Sequence, residues 1–440
     1  MRILWVSTSP MGPASRILKM PSPGSSGGWI QSEYEALVAD GTASENEMFF
    51  LCASRSVSAG EIKVAESSEG KAFCVNLPGK SFGIEPPRKL AECISRIIEN
   101  VSPDIIHIWG TESCISYGAA KFSPGIKKVV FLQGIIGIHN RYKGGYLERE
   151  VENRRYLRGI PVKKRLVAKV KKYYFSRQKE YEKFILSVCK NVVLDSNFSA
   201  SYCLSVNDNI NCHYHYLKPA QSYLLSDWNI SDIENNSIFT VFGQSSEKGL
   251  HQLLKAAVIV KRHFPDLKII VPGPFNCENG KLKDRKFLSL YEMWLAAFIA
   301  ENGLTESVVF VGKLNTEQMI YYEKKCNLFV NPSCMEVHAL SLREAMSVGM
   351  PCISSLCGSV EEFLVNGENG FVYRYEEYEM LAFLIEKLLK EPSLCERLSE
   401  NAKKSMRSFI ALDDLSLRSV LFVWAATVYS FAAFFCVLEL

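Results

Sequence analysis

Asn331–Tyr373 reads NPSCMEVHALSLREAMSVGMPCISSLCGSVEEFLVNGENGFVY, and its succession of textures decides the fold. The chain enters it from an apolar run, LFVNPS, that ends in Asn, Pro and Ser, as a buried strand does where it gives way to a loop. LSLREAMSVG then places apolar residues at helical spacing and closes on a glycine. PCISS and GFVY follow as short apolar runs, each reading as a strand. Continuous rather than alternating apolar strands, with helices between them, mark a parallel sheet covered on both faces. Such sheets bind ligands outside the carboxyl ends of their strands, so chemistry is expected in the loop around Glu336.

Outward from that stretch the same alternation fills the second half. SIFTVFG, LKIIVPG and SVVFVG read as strands, and GLHQLLKAAVIVKRHFP, KFLSLYEMWLAAFIAENG and NTEQMIYYEKKC as helices. The first half repeats the pattern with RILWVS, FFLCASR, KAFCVNL, DIIHIWG, KVVFLQG and KNVVLDS as strands and WIQSEYEALVADG as a helix. Between them, 206–236 is polar and Asn-rich. The reading is an α/β chain of two doubly wound Rossmann-like domains, at 1–205 and 237–400, joined by a linker at 206–236. A helical, apolar tail at 401–440 either returns to the first domain or meets a membrane. The 440 residues suit two domains of roughly 200 each.

A net charge of +4 is small for this length and gives no support to a nucleic-acid partner. The 14 cysteines show no CxxC pair and no zinc spacing, and most sit in apolar runs as small hydrophobes. MRILWVSTSP has too short an apolar run for a signal peptide, so a cytoplasmic location is expected. Arg154–Lys183 is a basic stretch with Leu, Val, Tyr and Phe interleaved, the pattern of an amphipathic element drawn to anionic lipid or of a solvated face. Ser419–Leu438 carries no charge and is long enough to cross a bilayer or to form a buried terminal helix.

Within the deciding stretch, Glu336 lies between Met335 and Val337, where nothing structural calls for a charge. Glu344 falls near the start of the helix, where Ser341 as N-cap and Glu344 three residues on would form a capping box. The same helix N-terminus offers unpaired amides and a positive dipole end suited to a phosphate. In VFGQSSEKGLHQLLKAA, Lys248 precedes Gly249 and a helix, placed to meet a diphosphate as a mobile point charge. Gly27 and Gly28 follow the first strand and let the backbone approach a phosphate or sugar. Their spacing is not that of a GxGxxG fingerprint, which argues against an NAD-dependent dehydrogenase. Gly273 and Gly312, at strand ends, either admit a ligand or turn the chain. His107, Glu112, Gln133 and His139 lie at or beyond strand ends in the first half, and His107, between Ile106 and Ile108, fits a core position equally well.

These features in this order resemble the family 4 retaining glycosyltransferases of the GT-B fold, glycosyltransferase group 1, and among them enzymes of bacterial surface polysaccharide. The resemblance is carried by Glu336 and Glu344 separated by seven residues, Ala345-Met346, Gly349 and Pro351, Gly358 and Glu362, and Asn366-Gly367 with Gly370. It implies two Rossmann-like domains facing a cleft, with a nucleotide-diphosphate sugar as donor substrate and no metal or cofactor. It implies retention of configuration and transfer of a hexose or related sugar to a glycan or lipid-linked acceptor at the inner face of the plasma membrane. Glu336 would contact donor-sugar hydroxyls near the reacting carbon, and Glu344 the ribose hydroxyls. The amides around Ser341 and Leu342 would face the pyrophosphate, which Lys248 would also hold, and Gly27 and Gly28 would face the donor. Where the family places an arginine before the Lys-Gly pair, this chain has Gln244, which removes one cation. Two other readings therefore stay open: a non-catalytic sugar-nucleotide or glycan-binding subunit of the same fold, and a sugar-nucleotide epimerase.

Overall fold

The computed structural model describes residues 1–21, 28–39, 41–78, 85–142, 144–147, 178–234, 236–240, 245–283 and 288–426, with side chains described through 410 at the C-terminal end. The chain forms two compact units. One comprises Met1–Asn140, Val170–Tyr216 and Asp413–Leu440, and the other Arg141–Lys169 and Leu217–Leu412.

The first unit is built on eight strands: β1 (Arg2–Ser7), β2 (Glu47–Ser54), β3 (Ile62–Ser67), β4 (Gly70–Asn76), β5 (Ile105–Trp109), β6 (Lys127–Phe131), β7 (Asn191–Leu194) and β8 (Asn211–Tyr214). Their order is β3-β4-β2-β1-β5-β6-β7-β8, parallel except for the β3–β4 hairpin at one edge. β8 lies within the polar stretch read as a linker, so the first sheet continues to Tyr214. Helices α1 (Pro13–Leu18), α2 (Gly28–Ala39), α3 (Arg88–Val101), α4 (Cys114–Lys121), α5 (Ile136–His139), α6 (178–188) and α7 (Asn197–Val206) connect the strands. The central strands are apolar along most of their length because both faces are covered: Ile3, Leu4 and Val6 of β1 are fully buried.

The second unit has a wholly parallel main sheet of β9 (Ser237–Thr240), β10 (Lys268–Pro272), β13 (Val308–Gly312), β14 (Leu328–Asn331), β15 (Cys352–Ser355) and β16 (Phe371–Tyr373), with a small ribbon of β11 (Cys277–Glu278) and β12 (Lys281–Leu282) beside it. The order β13-β10-β9-β14-β15-β16 is that of a dinucleotide-fold sheet. Its helices are α8 (Gln221–Leu224), α9 (Leu250–Val260), α10 (Leu290–Glu301), α11 (Thr316–Lys325), α12 (Leu340–Val348), α13 (Tyr378–Lys390) and, as far as Leu412, α14 (Pro392–Ala426). Capping boxes start two of them, Ser289 with Glu292 on α10 and Asn315 with Gln318 on α11. Phe239, Phe329, Leu253 and Ile353 are fully buried between the sheet and its helices. The chain runs outward in opposite directions from β9 and β14, and that reversal opens a crevice at their carboxyl ends.

Candidate active site

Lys248 and Glu336 meet at that reversal. Lys248 ends a 3-10 turn, Ser246–Lys248, in the connection that follows β9, and Glu336 lies in the loop after β14. Lys248 Nζ donates to Glu336 Oε1 at 2.7 Å, and the Cys334 amide donates to the Glu247 carbonyl at 2.9 Å, so the two loops are tied by backbone as well as charge. Gly249 makes this approach feasible. It holds φ of 69°, and a Cβ there would overlap the Pro332 carbonyl oxygen. Burial pulls the Lys248 ammonium down in pKa, but the charge and hydrogen bond of Glu336 outweigh it and leave Lys248 above the ordinary lysine value. The cation is therefore charged at neutral pH and, with its side chain about one-third exposed, can swing to an incoming anion.

Glu336 is about nine-tenths buried, and its carbonyl accepts from the Ser359 amide at 3.4 Å. After it the chain turns through Ala339, a non-glycine residue at φ 44° and ψ 40°, a left-handed conformation that carries strain. Ala339 is the N-cap of α12 and offers no side-chain hydrogen bond. The capping box expected of Ser341 and Glu344 is not formed: α12 starts at Leu340, which puts Ser341 inside the first turn rather than before it. The Leu342 and Arg343 amides donate to the Ala339 carbonyl at 3.0 and 3.2 Å. Of the two amides expected at the pyrophosphate, that of Leu342 is therefore taken up by the first turn, and those of Leu340 and Ser341 have no partner inside the helix. An uncapped helix start presents unpaired amides and a positive dipole end suited to an anion.

Glu344 lies half-buried on α12, and burial pushes its carboxyl up to about 7. Nearby Glu323 of α11 is fully buried, and among the described residues neither of its carboxylate oxygens has a hydrogen-bond partner. Burial, and then the charge of Glu344, raise its carboxyl well above the usual carboxylate range. On the other side of Glu344, Arg343 is 1% exposed, with its guanidinium 4.9 Å from the Phe363 ring centroid and 4.8 Å from that of Phe409.

The remaining candidates fall in several places. Gly273, buried at the end of β10, donates its amide to the Gly312 carbonyl at 2.7 Å, so both sit at carboxyl ends of the second sheet. In the first unit Gly28 opens α2, and Gly27 and Gln244 lie outside the described residues. His107 is a core residue: it stacks on Trp109 at 4.7 Å, packs against Trp5 and Phe131, and burial drops its pKa to about 3. Burial raises the carboxyl of Glu112, just past β5, and His139 closes α5. The basic stretch lies mostly outside the described residues, as does the end of the apolar tail; among the described residues no helix is long and apolar enough to cross a membrane. Among the same residues no group of three or more His, Cys, Asp or Glu is placed to hold a metal. None of the described cysteines is in a disulfide. The sequence reading did not find Glu247, His251 or Tyr375, which surround the lysine loop. The adjacent Gly144-Gly145 pair was the one available signal.

Two doubly wound units, the second with a cation and an open helix start at its strand reversal, have the architecture of the GT-B fold. Residues 229–405 match the model of the family described as Glycosyl transferases group 1. The capsular polysaccharide biosynthesis glycosyltransferase CapM of Staphylococcus aureus is 25% identical over 162 residues, 37% of this chain and 39% of that protein. The chain spans about two-fifths of the length of the curated relatives it matches. Over its whole length the fold is shared with solved structures. A sucrose-phosphate synthase from Thermosynechococcus elongatus aligns at TM-score 0.63 and 17% identity, over 96% of this chain and 99% of its own. The Anabaena protein HepE, in complex with UDP and glucose, aligns at TM-score 0.59 and 16% identity, over 96% and 99%. At these identities the likeness establishes the GT-B fold.

Proposed function

We propose that the chain is a retaining glycosyltransferase that moves a hexose or related sugar from a nucleotide-diphosphate sugar to a glycan or lipid-linked acceptor, in the synthesis of surface polysaccharide. The observation that carries this reading is the Lys248–Glu336 pair beside the uncapped start of α12, at the strand reversal of a group 1 domain. In this reading the diphosphate enters between Lys248 and the Leu340 and Ser341 amides. As the sugar–phosphate bond breaks, negative charge grows on the leaving oxygen, and a fixed cation and preoriented amides stabilise it most at that point. Glu336, released from Lys248 by the phosphate, accepts from hydroxyls of the donor sugar, and Glu344 from the ribose. The leaving diphosphate assists attack by the acceptor hydroxyl on the same face, which retains configuration. The capsular relative supports the polysaccharide assignment, and the UDP and glucose held by HepE make a UDP-sugar the first donor to test. The basic stretch Arg154–Lys183 favours a location at the inner face of the plasma membrane.

The test is nucleotide release from a panel of nucleotide sugars, with glycan and lipid-linked acceptors, by the full chain and by Lys248→Ala and Glu336→Ala. Release that requires acceptor and is lost in both variants supports the reading. Unchanged turnover in either variant refutes the site, donor binding without turnover across acceptors identifies a binding subunit, and donor conversion without acceptor identifies an epimerase.

A further inference from the structure

The loop that carries Lys248 is held from outside by a short segment distant in sequence. Within the second unit, Tyr142 and Gly144–Leu147 make two successive turn hydrogen bonds, the Gly145 amide donating to the Tyr142 carbonyl and the Leu147 amide to the Gly144 carbonyl, both at 2.9 Å. Leu147, 1% exposed, anchors the segment in the core of that unit. The Gly144 amide donates to Glu247 Oε1 at 3.2 Å. The Gly145 carbonyl accepts from the Tyr375 hydroxyl at 2.9 Å and lies 3.1 Å from His251 Nε2. Gly145 has φ of 57°, and a Cβ there would overlap the Ser246 carbonyl oxygen, so the segment is pressed onto the turn that ends in Lys248.

The hydrogen bonds assign the histidine tautomer. A carbonyl can only accept, so His251 Nε2 carries the proton toward Gly145 and toward the Tyr375 oxygen 3.0 Å away. Nδ1 then accepts from the Tyr291 hydroxyl at 3.1 Å, and the Tyr291 oxygen accepts the His251 amide at 3.3 Å. Every polar group of the cluster is satisfied with a neutral ring. Burial, with the nearby charge of Lys255 adding to it, takes the His251 pKa to about 3 and keeps the ring neutral.

We infer that Gly144–Leu147 is a strut for diphosphate recognition, and that His251, Tyr375 and Glu247 are positioning residues that fix where Lys248 presents its charge. This rests on the donor-site reading above and adds residues outside the motif that carries it. Contact with the ligand stays with Lys248 and the α12 amides. The strut sets the loop from behind, so its loss alters the fit to a second phosphate and leaves contacts to base and ribose intact.

The experiment is calorimetric titration of the full chain with UDP, GDP and ADP, each beside its monophosphate, in wild type, Tyr375→Phe, Gly145→Ala and Lys248→Ala. Tyr375→Phe keeps the ring and deletes only the hydroxyl that holds the Gly145 carbonyl. For the nucleotide that binds tightest, the strut predicts about tenfold weaker diphosphate binding in Tyr375→Phe and more in Gly145→Ala. Monophosphate affinity then stays within about twofold, and the melting temperature of Tyr375→Phe stays near wild type. Unchanged diphosphate affinity in Tyr375→Phe, or equal loss for diphosphate and monophosphate, overturns the strut while the donor site stands. No diphosphate binding by wild type, or wild-type binding by Lys248→Ala, overturns the donor site itself and the strut's role with it.

Discussion

Lys248 and Glu336 stand 88 positions apart in the chain and are joined by a 2.7 Å ion pair at the reversal point of the second sheet. A partly exposed pair of this kind contributes little to stability. Its worth lies in what each partner does when the other is drawn away. In the free protein Glu336 neutralises Lys248 and holds it near the crevice, and an arriving diphosphate competes for the same cation. The two side chains should therefore fail differently when removed.

Lys248→Ala removes the cation that meets the leaving group. Losing one such stabilising donor lowers turnover by roughly 100- to 1,000-fold, and diphosphate affinity should fall with it. Glu336→Gln frees Lys248 from its carboxylate, so nucleoside diphosphate binding should hold or tighten while turnover drops by a similar factor. Calorimetry with the nucleotide and an assay of nucleotide release separate the two. Equal losses of affinity in both variants would mean that the pair acts as one structural tie.

Gly249→Ala should damage fold and site together. The added Cβ meets the Pro332 carbonyl, which belongs to the backbone and cannot rotate aside, and the residue must keep a positive φ. A misfit of this kind costs more than the roughly 0.4–1 kcal/mol at stake in a compatible glycine substitution. Two kilocalories per mole, about 2 in round terms, would lower the melting temperature by roughly 4–8 °C for a unit of this size. Thermal unfolding checks it, and a melting temperature within a degree of wild type would show that the two loops move apart at little cost.

Much of this was legible from apolar texture. Buried parallel strands announce themselves as continuous runs such as SIFTVFG and LKIIVPG, and the loop glutamate at 336 stood out because its neighbours are apolar. The start of α12 was not legible. Ser341 with Glu344 has the form of a capping box, but the exit from β14 and the turn at Ala339 start the helix before Ser341 can cap it. β8 was hidden because a four-residue edge strand, NCHY, carries too little apolar sequence to mark itself in a polar stretch. The strut was hidden for a different reason: its partners Glu247, His251 and Tyr375 are more than a hundred positions from Gly144 and Gly145, and no local pattern encodes such a contact.

Arg343 should prove a stability residue. Its guanidinium lies against both the Phe363 and Phe409 rings, which also touch each other, and its Nη1 donates to the Leu217 carbonyl at 3.4 Å. Arg343→Ala leaves a gap beside the two rings and removes a desolvated cation–π contact worth about 2 kcal/mol, for a total loss of roughly 2–4 kcal/mol. Urea denaturation measures it. A double-mutant cycle with Phe409→Ala should show coupling of at least about 0.5 kcal/mol between the pair, and additivity would place the arginine's contribution elsewhere.

Glu344 and Glu323 give the fold a pH dependence whose direction is set by burial. Both carboxyls are raised in the folded protein, Glu344 to about 7, against the 4.5 expected of a free glutamate. Between pH 4.5 and 7 the folded state therefore keeps a proton at Glu344 that the unfolded chain has already released. The stability associated with that proton is complete below the unfolded value and is lost as pH rises through about 7, with a slope of at most about 1.4 kcal/mol per pH unit for one proton. The melting temperature should fall from pH 5 to pH 8, less so in Glu344→Gln, where the amide stays neutral throughout. Glu323, fully buried and raised in the same direction, should give a decline of the same sign in the single variant, and Glu323→Gln added to it should flatten the remainder. A wild-type melting temperature that rises across this window would mean that Glu344 is ionised in the folded protein and held by a partner that stabilises its charge.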